Sequence, residues 1–209
     1  MPSSHCRLPK MKFIHPEQFI QDYSLSRYRG IETNDCVVKA ISILFGIPYD
    51  EAHGFSRGFF NRTEKDGVSN FTSSMCRLMK NQNFSFNGSV NEINIDEHTS
   101  MLDVYSEYNE GAYLVVTRDH VSVLFDGQWL DYKGIIKQNE DVYAIYEFLD
   151  FDHFDSIRKK IADTNNSSFD FWLIAIVLFA VFLFFNEKEV KHELRNFKKW
   201  VKREIHFDF

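Results

Sequence analysis

The sequence predicts an α+β domain in which N-terminal helices pack on an antiparallel β-meander, followed by a C-terminal hydrophobic helix and a basic amphipathic helix. Three observations support this expectation. Before Gly111, apolar residues of the 209-residue chain recur with helical spacing. After Gly111 they alternate with polar residues, as in half-buried strands. Residues 171–185 read FWLIAIVLFAVFLFF, without one polar side chain.

Five helices are expected before the strands. Pro16 opens a short one, because proline is favoured at the first helical position. Residues 33–35 (TND) supply capping side chains for the helix CVVKAISILF, which ends at Gly46. Only Lys39 and Ser42 are polar in that helix, so it should be buried on nearly every side. The other three are Tyr49–Arg57, Thr72–Asn81 with Met75, Leu78 and Met79 inward, and Asp96–Tyr108 with Met101, Leu102, Val104 and Tyr105 inward.

Four strands are expected after Gly111, namely AYLVVT, HVSVLF, QWLDYK and VYAIYEF, the last from Val142 to Phe148. Helices followed by a run of strands are typical of an α+β domain. The expected organisation is a flexible arm (1–15), the α+β domain (16–149), a polar linker (150–168), a hydrophobic membrane segment (169–186) and a basic amphipathic tail (187–209).

Composition excludes several classes of protein and site. The net charge is 24 − 30 = −6, which argues against a nucleic-acid-binding surface. The cysteines Cys6, Cys36 and Cys76 form no CxxC pair, so neither a disulfide framework nor a cysteine zinc site is expected. No HxxxH or clustered His/Asp pattern predicts another metal site, and no cofactor is expected. Because no secretory signal opens the chain, the body is expected to stay in a reducing, cytoplasmic compartment.

The strongest local pattern is the hairpin from His120 to Asp131 (HVSVLFDGQWLD). Its Asp126-Gly127 dipeptide favours a two-residue type I′ turn, which sets Ser122 opposite Asp131. Because side chains alternate along a strand, His120 and Asp131 then share one face of the hairpin. As diagonal neighbours roughly 5–8 Å apart at Cβ, they can form a carboxylate–imidazole pair. The other face suits a core and carries Val121, Val123, Phe125 and Leu130.

Cys36 is the candidate nucleophile for this pair. It begins the buried helix, where the helix dipole and the free N–H groups stabilise a thiolate. The same N–H groups can bind an oxyanion. A carboxylate that bonds one imidazole nitrogen orients the ring as a general base. The sequence therefore predicts a nucleophile, a base and an orienting group at Cys36, His120 and Asp131.

Two segments carry a resemblance to a known family. NDCVVKAISILFG (34–46) places a cysteine at the start of a central helix, and GAYLVVTRDHVSVLFDGQWLDYKG (111–134) places a histidine strand before an aspartate strand. With the intervening helices, over about residues 16–148, the chain resembles the papain-like cysteine peptidase superfamily, particularly short forms related to bacteriocin-processing peptidases and many phage proteins. The resemblance implies a papain-like fold with Cys36 as nucleophile, His120 as general base and acid, and Asp131 as orienting carboxylate. It also implies a peptide or protein substrate, with acyl transfer to an amine as a chemical variant.

The sequence departs from that family in one respect. The family usually has a glutamine a few residues before the cysteine, whereas residues 24–35 contain none. Asn34 is the nearest amide and is therefore the candidate oxyanion donor. The departure leaves open a catalytically inactive papain-like protein that serves as a phage, viral or bacterial membrane interaction protein.

Structural roles for the same residues also stay open. Cys36 could be a small buried residue, His120 a strand-edge histidine and Asp131 a solvated hairpin carboxylate. Trp129 shares the face of the His–Asp pair, where it either walls a substrate cleft or packs in the core.

Phe171–Phe185 is the candidate membrane segment. Fifteen helical residues extend about 22 Å, against roughly 30 Å for the hydrocarbon core. Asp170 and Lys188 can reach the interfaces by snorkelling. A helix that is apolar on every side needs an apolar surrounding, which a small body does not easily supply, so lipid is favoured over a buried core helix.

The tail carries seven positive charges between Lys188 and Arg203, interleaved with an apolar stripe. The stripe consists of Val190, Leu194, Phe197, Val201 and Ile205. This pattern predicts a basic amphipathic helix on an anionic leaflet, or alternatively a solvated helix packed on the body. A hydrophobic segment that dips into one leaflet keeps both of its ends in the cytoplasm. The sequence therefore predicts a membrane-associated protein with a cytoplasmic catalytic body.

Overall fold

The computed structural model describes residues 10–63, 67–68, 70–80 and 88–165. The chain divides into two units, residues 1–158 and residues 159–209. In the first unit helices pack on a six-stranded, mostly antiparallel sheet, so the predicted α+β class is confirmed. Residues 159–165 of the second unit are helical. The predicted hydrophobic segment (169–186) and basic tail (187–209) lie outside the described residues.

Two 3₁₀ turns, Pro16–Gln18 and Tyr23–Leu25, occupy the segment in which the first helix is expected. The predicted short helix does begin at Pro16, but it is a 3₁₀ helix that ends at Gln18. Asp22 separates the two turns. Its backbone has a φ of 55°, a left-handed conformation that a right-handed helix does not contain.

Four α-helices follow among the described residues between positions 36 and 107, and each overlaps a predicted helix. They are α1 (Cys36–Phe45), α2 (Tyr49–Phe59), α3 (Phe71–Lys80) and α4 (Met101–Glu107). The last one begins at Met101 rather than at Asp96, because Ser100 caps it. The Ser100 hydroxyl accepts a hydrogen bond from the Asp103 N–H, and the Asp103 carboxylate accepts one from the Ser100 N–H. Leu102 and Met79 are half-buried rather than fully inward.

The sheet contains six described strands: β1 (Phe13–Ile14), β2 (Ser89–Ile93), β3 (Ala112–Thr117), β4 (Val121–Phe125), β5 (Gln128–Leu130) and β6 (Val142–Leu149). Their spatial order is β1-β5-β4-β3-β6-β2. Neighbouring strands are antiparallel except β1 and β5, which run parallel.

The predicted meander holds for β3, β4 and β5 but is wrong for β6, which pairs with β3 instead of β5. The outer edge of β5 is occupied by β1, so the returning strand joins the open edge of β3. The predicted arm (1–15) is likewise wrong for residues 13–14, which form β1. Two residues are too few to show a period, and the SVNEI sequence of β2 lacks an apolar alternation, so neither strand is predicted.

Apolar residues cover both faces of the central strands. On one face Leu124 and Trp129 pack in a cluster with Met101 of α4. Alternation places Val123 and Leu130 on the opposite face, which α1 covers, and both are buried as predicted. Because β3, β4 and β5 are buried throughout, α1 is held in a fixed position over β4.

The predicted polar linker (150–168) is wrong for its first part. Residues 154–158 are helical, and Phe151, Phe154 and Ile157 are buried. Phe154 packs edge-on against Phe125 of β4, with ring centroids 5.2 Å apart. Since the three apolar side chains recur at every third position, they lie on one side of the chain and extend the first unit beyond β6.

None of the helices among the described residues combines the length and hydropathy that a bilayer crossing requires. The candidate segment Phe171–Phe185 is not among those residues.

Candidate active site

The β4–β5 hairpin has the register that its sequence predicts. Phe125 pairs with Gln128 across the turn. Asp126 and Gly127 have φ values of 45° and 70°, and a type I′ turn requires positive φ at both positions. The Asp126 carboxylate also accepts a hydrogen bond from the Gly111 N–H at 2.8 Å, which ties the turn to the start of β3.

The predicted contact between His120 and Asp131 is present at the other end of the hairpin. Nε2 of His120 lies 2.7 Å from Oδ2 of Asp131. Ser122 donates its hydroxyl to the same oxygen at 2.5 Å, and the Tyr132 backbone N–H donates to Oδ1 at 2.7 Å. Both carboxylate oxygens therefore have partners, so the carboxylate holds the ring in one orientation. The side chains of His120 and Asp131 are 20% and 8% exposed, and this partial desolvation strengthens their interaction.

Cys36, the first residue of α1, lies beside the same imidazole. The residue is half-buried, and its side chain is close enough to the imidazole to raise the pKa of His120. The contact depends on the packing of α1 against β4. It also depends on the turn between β3 and β4, where the Thr117 N–H donates to the His120 carbonyl at 2.9 Å. The structure thus brings together the three residues predicted as nucleophile, base and orienting group.

The surroundings favour a protonated His120. Burial lowers the pKa of its imidazole, but the hydrogen bonds and charges of Asp131 and Cys36 outweigh this effect and raise that pKa from 6.5 to about 10. The ring is therefore an imidazolium at neutral pH. An imidazolium beside sulfur stabilises the thiolate, which is the nucleophilic form of cysteine.

Asp35 does not cap α1 as its sequence position predicts. It is the N-cap residue, but its side chain makes no capping hydrogen bond. Its carboxylate instead accepts a hydrogen bond from the Tyr49 hydroxyl at 2.6 Å and lies 3.2 Å from Nζ of Lys39. A buried carboxylate gains more from a cation than from neutral N–H groups. Asp35 therefore does not occupy the first-turn N–H groups next to Cys36, and such groups can donate to an oxyanion.

Two cavities meet at the Cys36–His120 pair. One has a volume of about 260 Å³ and is lined mostly by polar and charged side chains, among them Lys39 and Asp131. The other has a volume of about 550 Å³. Cys36, His120 and Asn34 line both, so a molecule in either cavity reaches the thiol and the imidazole. The exposed Asn34, predicted as the oxyanion donor, thus lies beside the nucleophile.

Trp129 is not part of this site, and its prediction as a wall of the cleft is wrong. Its side chain is fully buried in the cluster that includes Leu124 and Met101, and it lines neither cavity. The alternation that places Trp129 on the face of His120 is correct. However, residues of α4 pack in one cluster with the indole, which is fully buried there.

Lys39, Tyr132 and Ser122 also line the smaller cavity, although sequence analysis does not name them as site residues. Lys39 lies one turn after Cys36, and its Nζ donates to the Tyr132 hydroxyl at 3.0 Å. Tyr132 in turn donates its hydroxyl to Glu17. Such long-range contacts have no local signal in the sequence. Ser122 could have been identified, because the hairpin register already places it opposite Asp131.

In the part of the chain that the structure describes, no group of three or more His, Cys, Asp or Glu side chains is arranged to hold a metal ion. Cys76 is half-buried on α3, and its Sγ lies 3.7 Å from Oε2 of Glu92. It lines neither of the two cavities.

No protein-family model matches the chain, and no curated protein or solved structure is significantly similar to it.

Proposed function

We propose that this protein is a thiol hydrolase, a papain-like cysteine peptidase or amidase, that cleaves a peptide or protein substrate through Cys36, His120 and Asp131. One observation carries the proposal: the His120 ring contacts Asp131 at 2.7 Å and lines, together with Cys36, both cavities of the site. A nucleophile, an acid–base group and an orienting carboxylate in contact are the minimum set for acyl transfer by a thiol.

The reaction begins when the Cys36 thiolate attacks the carbonyl carbon of the scissile amide. The carbonyl electron pair moves to oxygen, and N–H donors at the start of α1 and at Asn34 stabilise the oxyanion. As the C–N bond breaks, the His120 imidazolium donates its proton to the leaving amine. His120 then removes a proton from water, and the resulting attack on the thioester releases the acid and restores the thiolate.

Asp131 supports this cycle by holding His120 in one orientation and by stabilising its protonated form. The hydroxyl of Ser122 and the backbone N–H of Tyr132 hold the carboxylate itself. A substrate that extends beyond the scissile bond on both sides fits the two cavities that meet at the nucleophile, and a peptide chain has this property.

Selective alkylation tests the proposed state of Cys36. At pH 6 iodoacetamide should modify Cys36 at least about tenfold faster than Cys76, because a thiolate in an ion pair stays reactive where an ordinary thiol is protonated. Mass spectrometry of the digested protein measures both rates in one chain. His120→Ala should lower the Cys36 rate to that of Cys76, whereas Cys76→Ser should leave it unchanged. Slow and equal labelling of the two thiols would refute the enzyme and support a non-enzymatic interaction protein.

Cleavage of a broad peptide pool tests the reaction itself. The unsubstituted protein should produce fragments that Cys36→Ala does not produce, and the fragment ends identify the scissile bond. Addition of an amine distinguishes hydrolysis from acyl transfer, because only a transferase yields amine adducts in place of free acids.

We also propose that the protein associates with a membrane through Phe171–Phe185 and the basic tail Lys188–Arg203, with its catalytic body on the cytoplasmic side. This proposal rests on the sequence alone. Flotation of the full chain with anionic vesicles tests it. Val177→Lys places a charge in the middle of the apolar segment at a cost of about 3 kcal/mol and should release the protein, whereas Ser167→Lys, outside the segment, should not. Equal flotation of both variants would contradict the proposal.

A further inference from the structure

Arg62 places a guanidinium inside the protein, close to the segment that leads to Cys36. Its side chain has no exposed surface. A buried charge is stable only when it is paired and hydrogen-bonded. Nη2 of Arg62 donates to the carboxylate of Glu32 and to the backbone carbonyl of Asn34, the latter at 3.1 Å. One guanidinium therefore contacts two residues of the chain shortly before the nucleophile.

His53 completes the cluster around this ion pair. Nε2 of His53 lies 3.1 Å from Oε1 of Glu32 and 3.2 Å from Nη1 of Arg62. The imidazole also stacks on the Tyr28 ring, with centroids 3.7 Å apart. Burial raises the pKa of Glu32, but the hydrogen bonds from Arg62 and His53 outweigh it and lower that pKa. Glu32 is therefore ionised at neutral pH, and its charge holds Arg62 in place.

The position of Asn34 depends on this cluster. Asn34 precedes Asp35, the N-cap residue, so it lies outside the hydrogen-bonded turns of α1. Thr33 and Asn34 are both exposed. The bond from Arg62 to the Asn34 carbonyl supplies a fixed point on the backbone two residues before Cys36. A donor that stabilises an oxyanion must be held in place before the reaction.

We infer that Arg62 is a positioning residue, which fixes the backbone at Asn34 so that an oxyanion is stabilised when Cys36 is acylated. The inference rests on the proposed function and deepens it. Arg62 acts through Asn34 and does not itself touch the substrate.

Two reagents separate this role from general support of the fold. Iodoacetamide transfers its carboxamidomethyl group to the thiolate and releases iodide, without an oxyanion. With p-nitrophenyl acetate, the thiolate sulfur bonds to the acetyl carbon while the carbonyl electron pair moves to oxygen. The pair then returns as the bond to p-nitrophenolate breaks, which leaves a thioester on Cys36. Only the second reaction gains from an oxyanion donor.

Arg62→Lys keeps the charge but lacks the planar fork that reaches two acceptors. We expect it to slow acylation of Cys36 at least about tenfold and to change alkylation of Cys36 less than about twofold. Asn34→Ala should slow acylation in the same way, and Arg62→Lys should then add less than about a further twofold. Arg77→Lys is the matched control, because Arg77 also donates to a backbone carbonyl, that of Phe59, but is exposed. It should change neither rate.

An unchanged acylation rate in Arg62→Lys would overturn the inference, and so would an equal fall in both rates, which indicates support of the fold only. The inference would also be overturned if Arg62→Lys slowed acylation of Cys36 by a full tenfold in a protein that already carries Asn34→Ala. Circular dichroism shows whether Arg62→Lys folds. If it does not, the double variant Glu32→Gln/Arg62→Gln is used instead, because it removes both buried charges together. The inference then requires that the double variant slow acylation of Cys36 much more than alkylation. Failure of the proposed function is distinguishable, since Cys36 of the unsubstituted protein would then alkylate no faster than Cys76.

Discussion

His120 and Asp131 stand at the two free ends of one hairpin, and their side chains meet with Nε2 2.7 Å from Oδ2. The contact is local, because a two-residue turn and the alternation of side chains are sufficient to produce it. The orientation of the imidazole is therefore determined inside the hairpin, before any contact with Cys36. Substitutions in the hairpin should act on the protonation of His120 first and on the reactivity of Cys36 as a consequence.

Asp131→Asn should lower the pKa of His120 from about 10 toward its ordinary range, because the ring loses a charged acceptor. The thiolate of Cys36 loses support with it. We expect alkylation of Cys36 at pH 6 to fall at least about tenfold and peptide hydrolysis about 100-fold. NMR titration of the imidazole measures the pKa of His120, and mass spectrometry measures both the alkylation of Cys36 and the hydrolysis of the peptide.

Asp119→Asn is the matched control for that experiment. Asp119 also lines both cavities and is exposed, and the described residues give it no ionic partner. Its substitution should leave the pKa of His120 and the reactivity of Cys36 nearly unchanged. Similar losses in the two variants would show that a general negative potential acts on the site, rather than the specific contact of Asp131.

The stability of the protein should fall at alkaline pH because of His120. In the fold this ring keeps its proton up to about pH 10, whereas an unfolded histidine loses it near pH 6.5. The stabilisation is fully present below pH 6.5 and is lost as the pH rises through about 10. The loss therefore falls between about pH 6.5 and 10.

Urea unfolding at two pH values measures this effect. From about pH 8 to 9.5, the free energy of unfolding of the unsubstituted protein should fall by about 2 kcal/mol relative to that of His120→Gln. The comparison cancels the titration of other groups, since both chains share them. A constant difference would show that His120 is not protonated in the folded protein.

Tyr132→Phe should affect stability more than catalysis. The Tyr132 hydroxyl accepts a hydrogen bond from Lys39 and donates one to Glu17, so its loss should lower the free energy of unfolding by about 1 kcal/mol. The backbone N–H that holds Asp131 remains, and acylation of Cys36 should change less than about threefold. Tyr113→Phe is the control for activity, because the Tyr113 hydroxyl donates to Glu147 and lines neither cavity, so acylation should not change. A large loss of activity in Tyr132→Phe at unchanged stability would instead place the Tyr132 hydroxyl in the reaction.

Trp129→Phe should lower stability without changing substrate binding. Trp129 is fully buried, and its Nε1 has no hydrogen-bond partner among the described residues. The smaller ring leaves a cavity but also removes a buried unpaired N–H, so we expect a loss of about 1–2 kcal/mol. The KM for a peptide that the protein cleaves should stay the same. A raised KM at unchanged stability would show that the indole contacts substrate after all.

Contacts between residues that are close in the sequence were predictable, whereas contacts between distant residues were not. The register of the hairpin and the contact of His120 with Asp131 follow from neighbouring residues, and the structure confirms both. The burial of Trp129 was not predictable in this way. Alternation along a strand assigns a side chain to a face, but it carries no information about the helix that covers that face.

The edges of the sheet show the same limit. β1 is too short to have a period, and its pairing with β5 depends on which edge is open when the strands assemble. For that reason β6 joins β3, although the order of the strands along the chain favours a meander. The buried Arg62 also has no local signal, because its partners Glu32 and Asn34 lie 30 and 28 residues before it, with α1 and α2 in between.

By itself the sequence determined the class of the fold, the buried helix that begins with Cys36 and the hairpin that joins His120 to Asp131, because periodicity and turn residues act over a few positions. Only the tertiary structure decided that the sulfur and the imidazole meet, that Trp129 is closed off and that Arg62 holds the chain before the nucleophile. Those relationships arise when α1 packs on β4 and α4 on the opposite face, and such packing is a property of the whole set of elements.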